Sequence, residues 1–141
     1  MSEIGWSLHP QLHADTALVC DLALSRVLVM NDANFPWLIL VPRRTDVTEI
    51  FDLGAEQVTL LNEMSLASRA LKEITQCDKL NVAAIGNVVP QLHVHIVARR
   101  KDDALWPKPV WGAASPRAYD PAALERFTTA IRDRLQSTLS L

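Results

Sequence analysis

The feature that most constrains this chain is a strict alternation of polar and apolar residues over positions 91–97, QLHVHIV. Successive side chains of an extended strand point to opposite faces, so Gln91, His93 and His95 share one face and the apolar residues share the other. We therefore expect a strand whose apolar face packs on a core. The imidazole face, which carries two of the four histidines, is left to contact something else.

Composition limits what that strand can belong to. A chain of 141 residues, 49% of them hydrophobic and 21% charged, predicts a single domain, 1–141, with a proper core. A net charge of -2 disfavours binding of a long nucleic acid, whereas a small anionic ligand needs only local charge. Two cysteines are too few for a disulfide framework or a four-cysteine zinc site.

The N-terminal sequence lacks a secretory signal. No apolar run in the chain approaches the roughly 20 residues that span a bilayer. We therefore expect a cytoplasmic protein with no membrane partner.

Short β-branched runs predict an antiparallel sheet. Residues 16–31 read as a hairpin, and residues 37–41 read as a buried strand that Pro42 closes. These runs follow one another too closely for the long crossovers that parallel neighbours need. Residues 79–85 return to strand character before a turn at 86–90 leads into the alternating stretch. The expected sheet has about five strands.

Two longer segments have helical periodicity. Asp120 and Pro121 suit the start of a C-terminal helix over about 121–138. An earlier helix lies between Ala55 and Ile74, with Glu63 off its apolar stripe. The stripe comprises Val58, Leu61, Met64, Ala67, Leu71 and Ile74. The predicted fold class is therefore α+β, with about five antiparallel strands and two main helices.

Three further features allow more than one interpretation. His9 and His13 share a face if their segment is helical, and surface or capping roles are favoured over metal ligation. Arg43 and Arg44 follow a strand end, where they are either solvated or able to hold an anion. Residues 101–119 are rich in proline and tryptophan, which predicts order against a ligand site, a subunit interface or the body of the fold.

At this point the residues resemble a known family. Residues 86–97, GNVVPQLHVHIV, are similar to the signature of the histidine triad (HIT) superfamily, His-φ-His-φ-His-φ-φ with φ apolar, and Gln91 stands in place of the first histidine. The order of the hairpin, the loop before Phe35-Pro36, the strand ending in Pro-Arg and the helix agrees with that family. The resemblance covers about residues 16–100 and implies a HIT-like fold.

The resemblance implies a nucleotide hydrolase or transferase that is usually a homodimer. Such enzymes attack the α-phosphate of nucleoside phosphoramidates, dinucleoside polyphosphates or similar conjugates through a nucleotidyl-histidine intermediate. His93 matches the nucleophile, and His95 matches the histidine that contacts phosphate or the leaving group. Asn87 matches a residue that contacts phosphate or leaving group, and Asn31, or in second place Asp32, falls at the ribose-binding position. No metal or other cofactor is expected.

Gln91 is where this chain departs from the family. Its amide can orient a neighbour by hydrogen bonding, but it cannot carry a charge or exchange a proton near neutral pH. We expect nucleophilic attack to survive because His93 is intact. We expect the rate or the preferred leaving group to differ from those of a full triad.

Other interpretations stay open from the sequence. A non-catalytic nucleotide-binding or sensor module on the same fold is the main alternative, and purely structural histidines are another. A His-x-His metal site is disfavoured, because Arg99, Arg100 and Lys101 follow His95 in place of further ligands.

Overall fold

The computed structural model describes residues 3–139. In chain order the elements are α1 (Pro10–Asp15), β1 (Thr16–Asp21), β2 (Ser25–Met30), β3 (Trp37–Pro42), a 3-10 segment (Ile50–Glu56), α2 (Gln57–Thr75), β4 (Lys79–Ala83), β5 (Val94–Arg99) and α3 (Pro121–Leu139). The five strands form one sheet of order β1-β2-β3-β5-β4, with every neighbouring pair antiparallel. This architecture confirms the predicted α+β fold class.

β5 lies inside the sheet, where both of its edges are hydrogen-bonded. Its His95 is opposite Ile39 of β3 on one side and opposite Ala83 of β4 on the other. A backbone paired on both sides cannot drift, so the direction of the His95 side chain is set by the sheet. The hairpin β1–β2 and strand β3 follow the β-branched runs that predicted them.

The two faces of the sheet are covered by different elements. One face packs α2 and α3 against alternate residues of the inner strands, and Ile131 and Leu135 of α3 are buried there. Each fully buried aliphatic side chain there contributes roughly 1.5–3 kcal/mol. The strand residues of this face are Val27, Val29, Leu38, Leu40, Ile96 and Ala98. The opposite face is covered by α1, by Phe35 and by Val110 of the proline- and tryptophan-rich segment.

The alternating stretch differs from the prediction in its start. β5 begins at Val94, and residues 91–93 precede the strand. The reason is pairing, because the register of β3 with β5 stops at Leu40 and Val94, and the Leu92 N–H donates to the Val47 carbonyl instead. The alternation of side chains persists, since Leu92 and Val94 pack in one apolar cluster.

Helix α2 also corrects part of its predicted stripe. Val58 and Leu61 are 65% and 59% exposed, whereas Leu60 and Glu63 are buried together with Ala67, Ala70 and Leu71. Glu63 is drawn inward because its carboxylate accepts hydrogen bonds from the Leu24 and Ser25 backbone N–H groups at the β1–β2 turn. The rest of the predicted stripe is confirmed, since Ala67 and Leu71 are buried and Met64 and Ile74 pack against the same core. The tertiary partner of Glu63 therefore changes only the start of the stripe.

The remaining ambiguous features have structural partners. His9 caps α1 by accepting a hydrogen bond from the Gln11 N–H, which confirms the capping interpretation. Arg43 is buried and donates to the Leu22 carbonyl and to Glu3, while Arg44 pairs with Glu56. Both alternatives for Arg43, a solvated strand exit and an anion site, are therefore wrong. No helix within residues 3–139 is long and apolar enough to cross a membrane.

Candidate active site

His93 is oriented by the backbone just before it. Its Nδ1 lies 2.7 Å from the Gln91 carbonyl oxygen, and its side chain is 6% exposed. A carbonyl only accepts hydrogen bonds, so Nδ1 must carry the proton and donate it. In the neutral ring Nε2 is then left with its lone pair, which is the arrangement that a nucleophilic imidazole needs.

His95 is held by an indole from the neighbouring strand. Trp37 Nε1 donates to His95 Nδ1 over 3.0 Å, and His95 is also 6% exposed. Burial, followed by repulsion from His93, lowers the pKa of His95 from 6.5 to about 4. His95 is therefore neutral at pH 7, with its ring centroid 4.8 Å from that of His93.

Aromatic edges complete the walls around the two imidazoles. Trp111 meets His95 edge to face at 5.6 Å between ring centroids and meets Trp37 at 6.2 Å. Val110 and Trp111 thus pack on the imidazole face of the sheet, whereas most of residues 101–119 are exposed. Aromatic rings favour this edge-to-face arrangement because the edge of a ring is electropositive and its face is electronegative.

A buried ion pair anchors that aromatic segment. Arg99 is 1% exposed and donates twice to the Asp103 carboxylate, at 2.8 and 3.0 Å, and once to Asn81. The Arg99 hydrogen bond is the main cause that lowers the pKa of Asp103 to about 2. Asp103 also accepts from the N–H groups of Leu105 and Trp106. Arg99 is thus a structural residue beneath the site.

The Gln91 side chain makes its hydrogen bonds to the N-terminal segment and not to a neighbouring histidine. Its Oε1 accepts from the His9 N–H and its Nε2 donates to the Ser7 carbonyl, each over 2.9 Å. The amide therefore holds the N-terminal segment, and the bond that orients His93 comes from the Gln91 backbone.

A cavity of about 230 Å³ opens beside His93. Gly86, Gln91 and His93 line it together with Thr48 and Glu49. Gly86 has φ +70°, a backbone conformation that side-chain-bearing residues rarely adopt, so the turn into the site requires glycine. The predicted phosphate contact Asn87 follows this glycine and is exposed.

A second cavity, of about 320 Å³, shares no lining residue with the first. Asn31 and Asp32 line it with Phe35 and Trp37. The Asn31 side-chain oxygen accepts from the Tyr119 N–H, and one Asp32 oxygen accepts from the N–H groups of Asn34 and Arg117. The structure thus brings His93 and His95 into contact and places Asn31 and Asp32 in a separate cavity.

Sequence reasoning missed the two tryptophans of the site. The sequence places Trp37 only in a predicted buried strand and Trp111 only in the proline- and tryptophan-rich segment. Trp37 shares the imidazole face with Ile39, the direct partner of His95, so the strand pairing makes it a diagonal neighbour. The sequence does show a tryptophan two residues before Ile39 on the same strand. This spacing becomes informative only once the pairing of β3 with β5 is known.

Within residues 3–139, no group of three or more His, Cys, Asp or Glu side chains is placed to hold a metal ion. The two imidazoles offer a nitrogen lone pair on His93 Nε2 and an N–H donor on His95 Nε2.

Solved structures similar to this chain include histidine triad proteins. The chain is 58% identical to one from Bradyrhizobium japonicum, with a TM-score of 0.90 over 92% of this chain and 98% of that one. It is 37% identical to a HIT protein from Sinorhizobium meliloti, with a TM-score of 0.91 over 94% and 99% of the two chains. A third, from Marinobacter aquaeolei, is 41% identical, with a TM-score of 0.90 over 94% and 97%.

The HIT domain family matches residues 11–102 of the chain. A comparison with curated protein sequences gave no match. On the family match and these structural relatives, the chain belongs to the histidine triad family, as its sequence motif implied.

Proposed function

We propose that this protein is a nucleotide hydrolase or transferase that attacks the α-phosphate of a nucleoside phosphoramidate, a dinucleoside polyphosphate or a similar conjugate. His93 is the nucleophile and His95 is the hydrogen-bond donor to a phosphate oxygen or to the leaving group. Membership of the histidine triad family supports a nucleotide-binding or hydrolase-type function.

The observation that carries the proposal is the 2.7 Å contact between His93 Nδ1 and the Gln91 carbonyl. It directs the neutral ring to present the Nε2 lone pair. In the first step this lone pair forms an N–P bond as the bond from phosphorus to the leaving group breaks, and the leaving group takes that electron pair. The Gln91 carbonyl then faces the N–H of a ring that has become positive, which stabilises the intermediate.

The second step returns the enzyme to its starting state. Water, or another acceptor hydroxyl, attacks phosphorus, and its proton passes to the solvent. The N–P bond breaks and its electrons return to Nε2. Two successive displacements replace one difficult displacement, which is the usual gain of covalent catalysis. Throughout, the role of the protein is to position donors around phosphorus on a rigid sheet.

Asn87, Asn31 and Asp32 complete the proposed substrate contacts. Asn87 follows the glycine turn at the His93 cavity, where a side-chain amide can reach phosphate or leaving group. Asn31 retains its Nδ2 donor and Asp32 an oxygen for a ribose hydroxyl in the second cavity. Gln91 contributes through its carbonyl to the chemistry and through its amide to the N-terminal segment.

The proposal is tested by turnover of adenosine phosphoramidate and of diadenosine polyphosphate by wild type and His93→Ala, with circular dichroism to verify folding. We expect wild type to release nucleoside monophosphate and His93→Ala to be inactive. Turnover undiminished in His93→Ala would remove the proposed nucleophile. Nucleotide binding without any turnover by wild type would instead favour the sensor-module alternative.

We also propose that the protein is a homodimer that uses the β4 edge of the sheet. An edge strand leaves backbone N–H and C=O groups unpaired along its outer side. On β4, Val82 is 47% exposed, and Ile85 beyond the strand is also exposed, as are Val58 and Leu61 of α2. Covering such apolar side chains yields about 25 cal/mol per Å² of area removed from water.

Light scattering after size exclusion tests the dimer. Wild type should elute as two copies, and Val82→Lys as one copy, because a charge would be buried in the interface. Leu18→Lys is the matched control, since Leu18 is exposed on β1, the other edge strand. A wild type that is monomeric, or a Val82→Lys variant that is dimeric like the control, would contradict this use of the β4 edge.

A further inference from the structure

We infer that Trp37 is a positioning residue of the histidine site, because its indole N–H holds the neutral His95 ring in the tautomer with the proton on Nε2. The effect on turnover rests on the proposed function, whereas the tautomer itself is a property of the free protein. Trp37 belongs to strand β3 and is not one of the residues that line the cavity beside His93.

The argument begins with donor and acceptor chemistry. An indole N–H can only donate a hydrogen bond, and it lies 3.0 Å from His95 Nδ1. Nδ1 must therefore be the unprotonated nitrogen. A neutral imidazole has one protonated nitrogen and one acceptor, so the proton of His95 is on Nε2.

Packing holds the two rings in this relation. Trp37 and His95 are each 6% exposed, and their ring centroids are 5.7 Å apart with planes inclined at 60°. Trp111 contacts both rings edge to face. β3 and β5 are paired at Ile39 and His95, so the backbones that carry the rings are joined by sheet hydrogen bonds. Neither ring can turn without disturbing the other two.

The same contact opposes protonation of His95. An imidazolium carries a proton on both nitrogens, so a charged ring would point an Nδ1–H at the indole N–H, donor against donor, in a buried place. Of the rings that contact His95, only His93 is titratable, and it adds repulsion when charged. Burial acts in the same direction. His95 is therefore kept as a neutral donor that presents Nε2–H.

The direct test is nitrogen NMR on the wild-type protein with labelled histidine and tryptophan. At neutral pH we expect His95 to show an unprotonated Nδ1 and a protonated Nε2. We also expect a scalar coupling across the hydrogen bond between Trp37 Nε1 and His95 Nδ1. A protonated Nδ1, or the absence of this coupling in a well-resolved spectrum, would overturn the inference without any variant being made.

Trp37→Phe tests the cause, and Trp111→Phe is its control, since Trp111 contacts the same imidazole edge to face and its indole N–H makes no hydrogen bond. We expect Trp37→Phe to mix the two tautomers of His95 and to raise its pKa, and Trp111→Phe to keep the Nε2–H tautomer. An unchanged tautomer and an unchanged pKa in Trp37→Phe would show that the indole only packs.

Turnover separates this inference from the proposed function. If wild type turns over nucleotide conjugates, Trp37→Phe should lower kcat roughly tenfold, the value of one lost hydrogen bond, and leave KM near that of wild type. As the pH is lowered, the activity of Trp37→Phe should begin to fall at a higher pH than that of wild type, because the pKa of His95 is expected to be higher in the variant. A wild type with the predicted tautomer and no turnover would contradict the proposed function alone, whereas an active wild type with the other tautomer would contradict the role of Trp37 alone.

Discussion

His95 and Ile96 are neighbours on β5 and nearly equally buried, yet they face environments of opposite kind. Ile96 enters the apolar cluster between the sheet and the helices α2 and α3. On the opposite face His95 accepts from the Trp37 indole N–H and contacts the rings of His93 and Trp111. The contrast teaches that burial alone does not distinguish a structural position from a chemical one, and that the available partners do.

Alternation allows one strand to serve stability and chemistry without mixing them. Residues on the helical face of β5 anchor it in the core, so the imidazoles on the other face inherit a fixed backbone. If this separation is real, substitutions on the two faces should affect different measurements.

On the imidazole face, His93→Ala should abolish the proposed activity while the protein remains folded. Removing the attacking group of a covalent mechanism lowers kcat by roughly 10³-fold or more. The loss in free energy of unfolding should stay near about 1–2 kcal/mol, since one hydrogen bond to a carbonyl is removed. Urea unfolding and steady-state kinetics on the same preparation measure both. A collapse of stability would show that the imidazole face is also structural.

On the helical face, Ile96→Ala should have the opposite pattern. Truncating a fully buried isoleucine costs roughly 2–5 kcal/mol of unfolding free energy, through lost transfer energy and the cavity left behind. The kcat per folded molecule should be unchanged at a temperature where the variant is still native. A variant that is stable but slow would break the separation of the two faces.

The free energy of unfolding should decrease as the pH is lowered, because of His95. Its pKa is about 4 in the folded protein against 6.5 when unfolded, so between these values the unfolded chain binds more protons and unfolding becomes easier as pH falls. At 1.36 kcal/mol per pKa unit, the loss between pH 7 and pH 4 amounts to about 3 kcal/mol at most. Urea midpoints across this range measure it.

The control for this pH dependence is His95→Gln, which has no titratable group at that position and should show a flatter profile. Asp103, whose pKa is lowered to about 2, contributes in a lower window, because its stabilisation is lost as pH falls from 3.8 towards 2. Equal slopes in wild type and His95→Gln between pH 6.5 and pH 4 would contradict a neutral, buried His95.

Glu63 of α2 tests whether a buried polar group away from the imidazole face serves stability alone. Glu63→Gln should cost roughly 1–3 kcal/mol, since the amide cannot accept from both the Leu24 and Ser25 N–H groups and its own NH₂ would face one of them. Glu73→Gln on the same helix is the control, because its partner Arg134 is exposed and such surface pairs contribute about 0–1 kcal/mol. Equal losses in thermal unfolding would contradict the inward role of Glu63.

The smallest effect is expected at Gln91. Gln91→Ala removes two hydrogen bonds to the N-terminal segment, from His9 N–H and to the Ser7 carbonyl, and should cost about 1 kcal/mol. Amide hydrogen exchange at His9 should accelerate, while the Gln91 carbonyl still orients His93. A loss of activity as large as in His93→Ala would mean that the side chain acts in the chemistry.

Local patterns predicted the parts of this structure that local physics decides. Side-chain alternation depends only on the extended backbone, so the two faces of residues 91–97 were readable from the sequence. The family resemblance, carried by the same residues, predicted the fold that the family match and the solved relatives support.

Long-range partners decided the rest. The start of α2 buries Leu60 and Glu63 in place of Val58 and Leu61, because Glu63 meets backbone N–H groups 38 and 39 residues away in sequence. The Trp37–His95 bond spans 58 residues and depends on the order β3-β5-β4, which no single segment encodes. The Gln91 side chain was expected beside His93, yet it bonds an N-terminal segment more than 80 residues away.

The central claim is that His93 becomes covalently attached to the nucleotide. Wild type mixed with adenosine phosphoramidate for less than one turnover, then denatured under alkaline conditions that preserve an N–P bond, should show one added adenylyl group by intact mass. Peptide mapping should locate this group on His93, and His93→Ala should show none. Turnover with no adduct at any time point, or an adduct on another residue, would contradict the account.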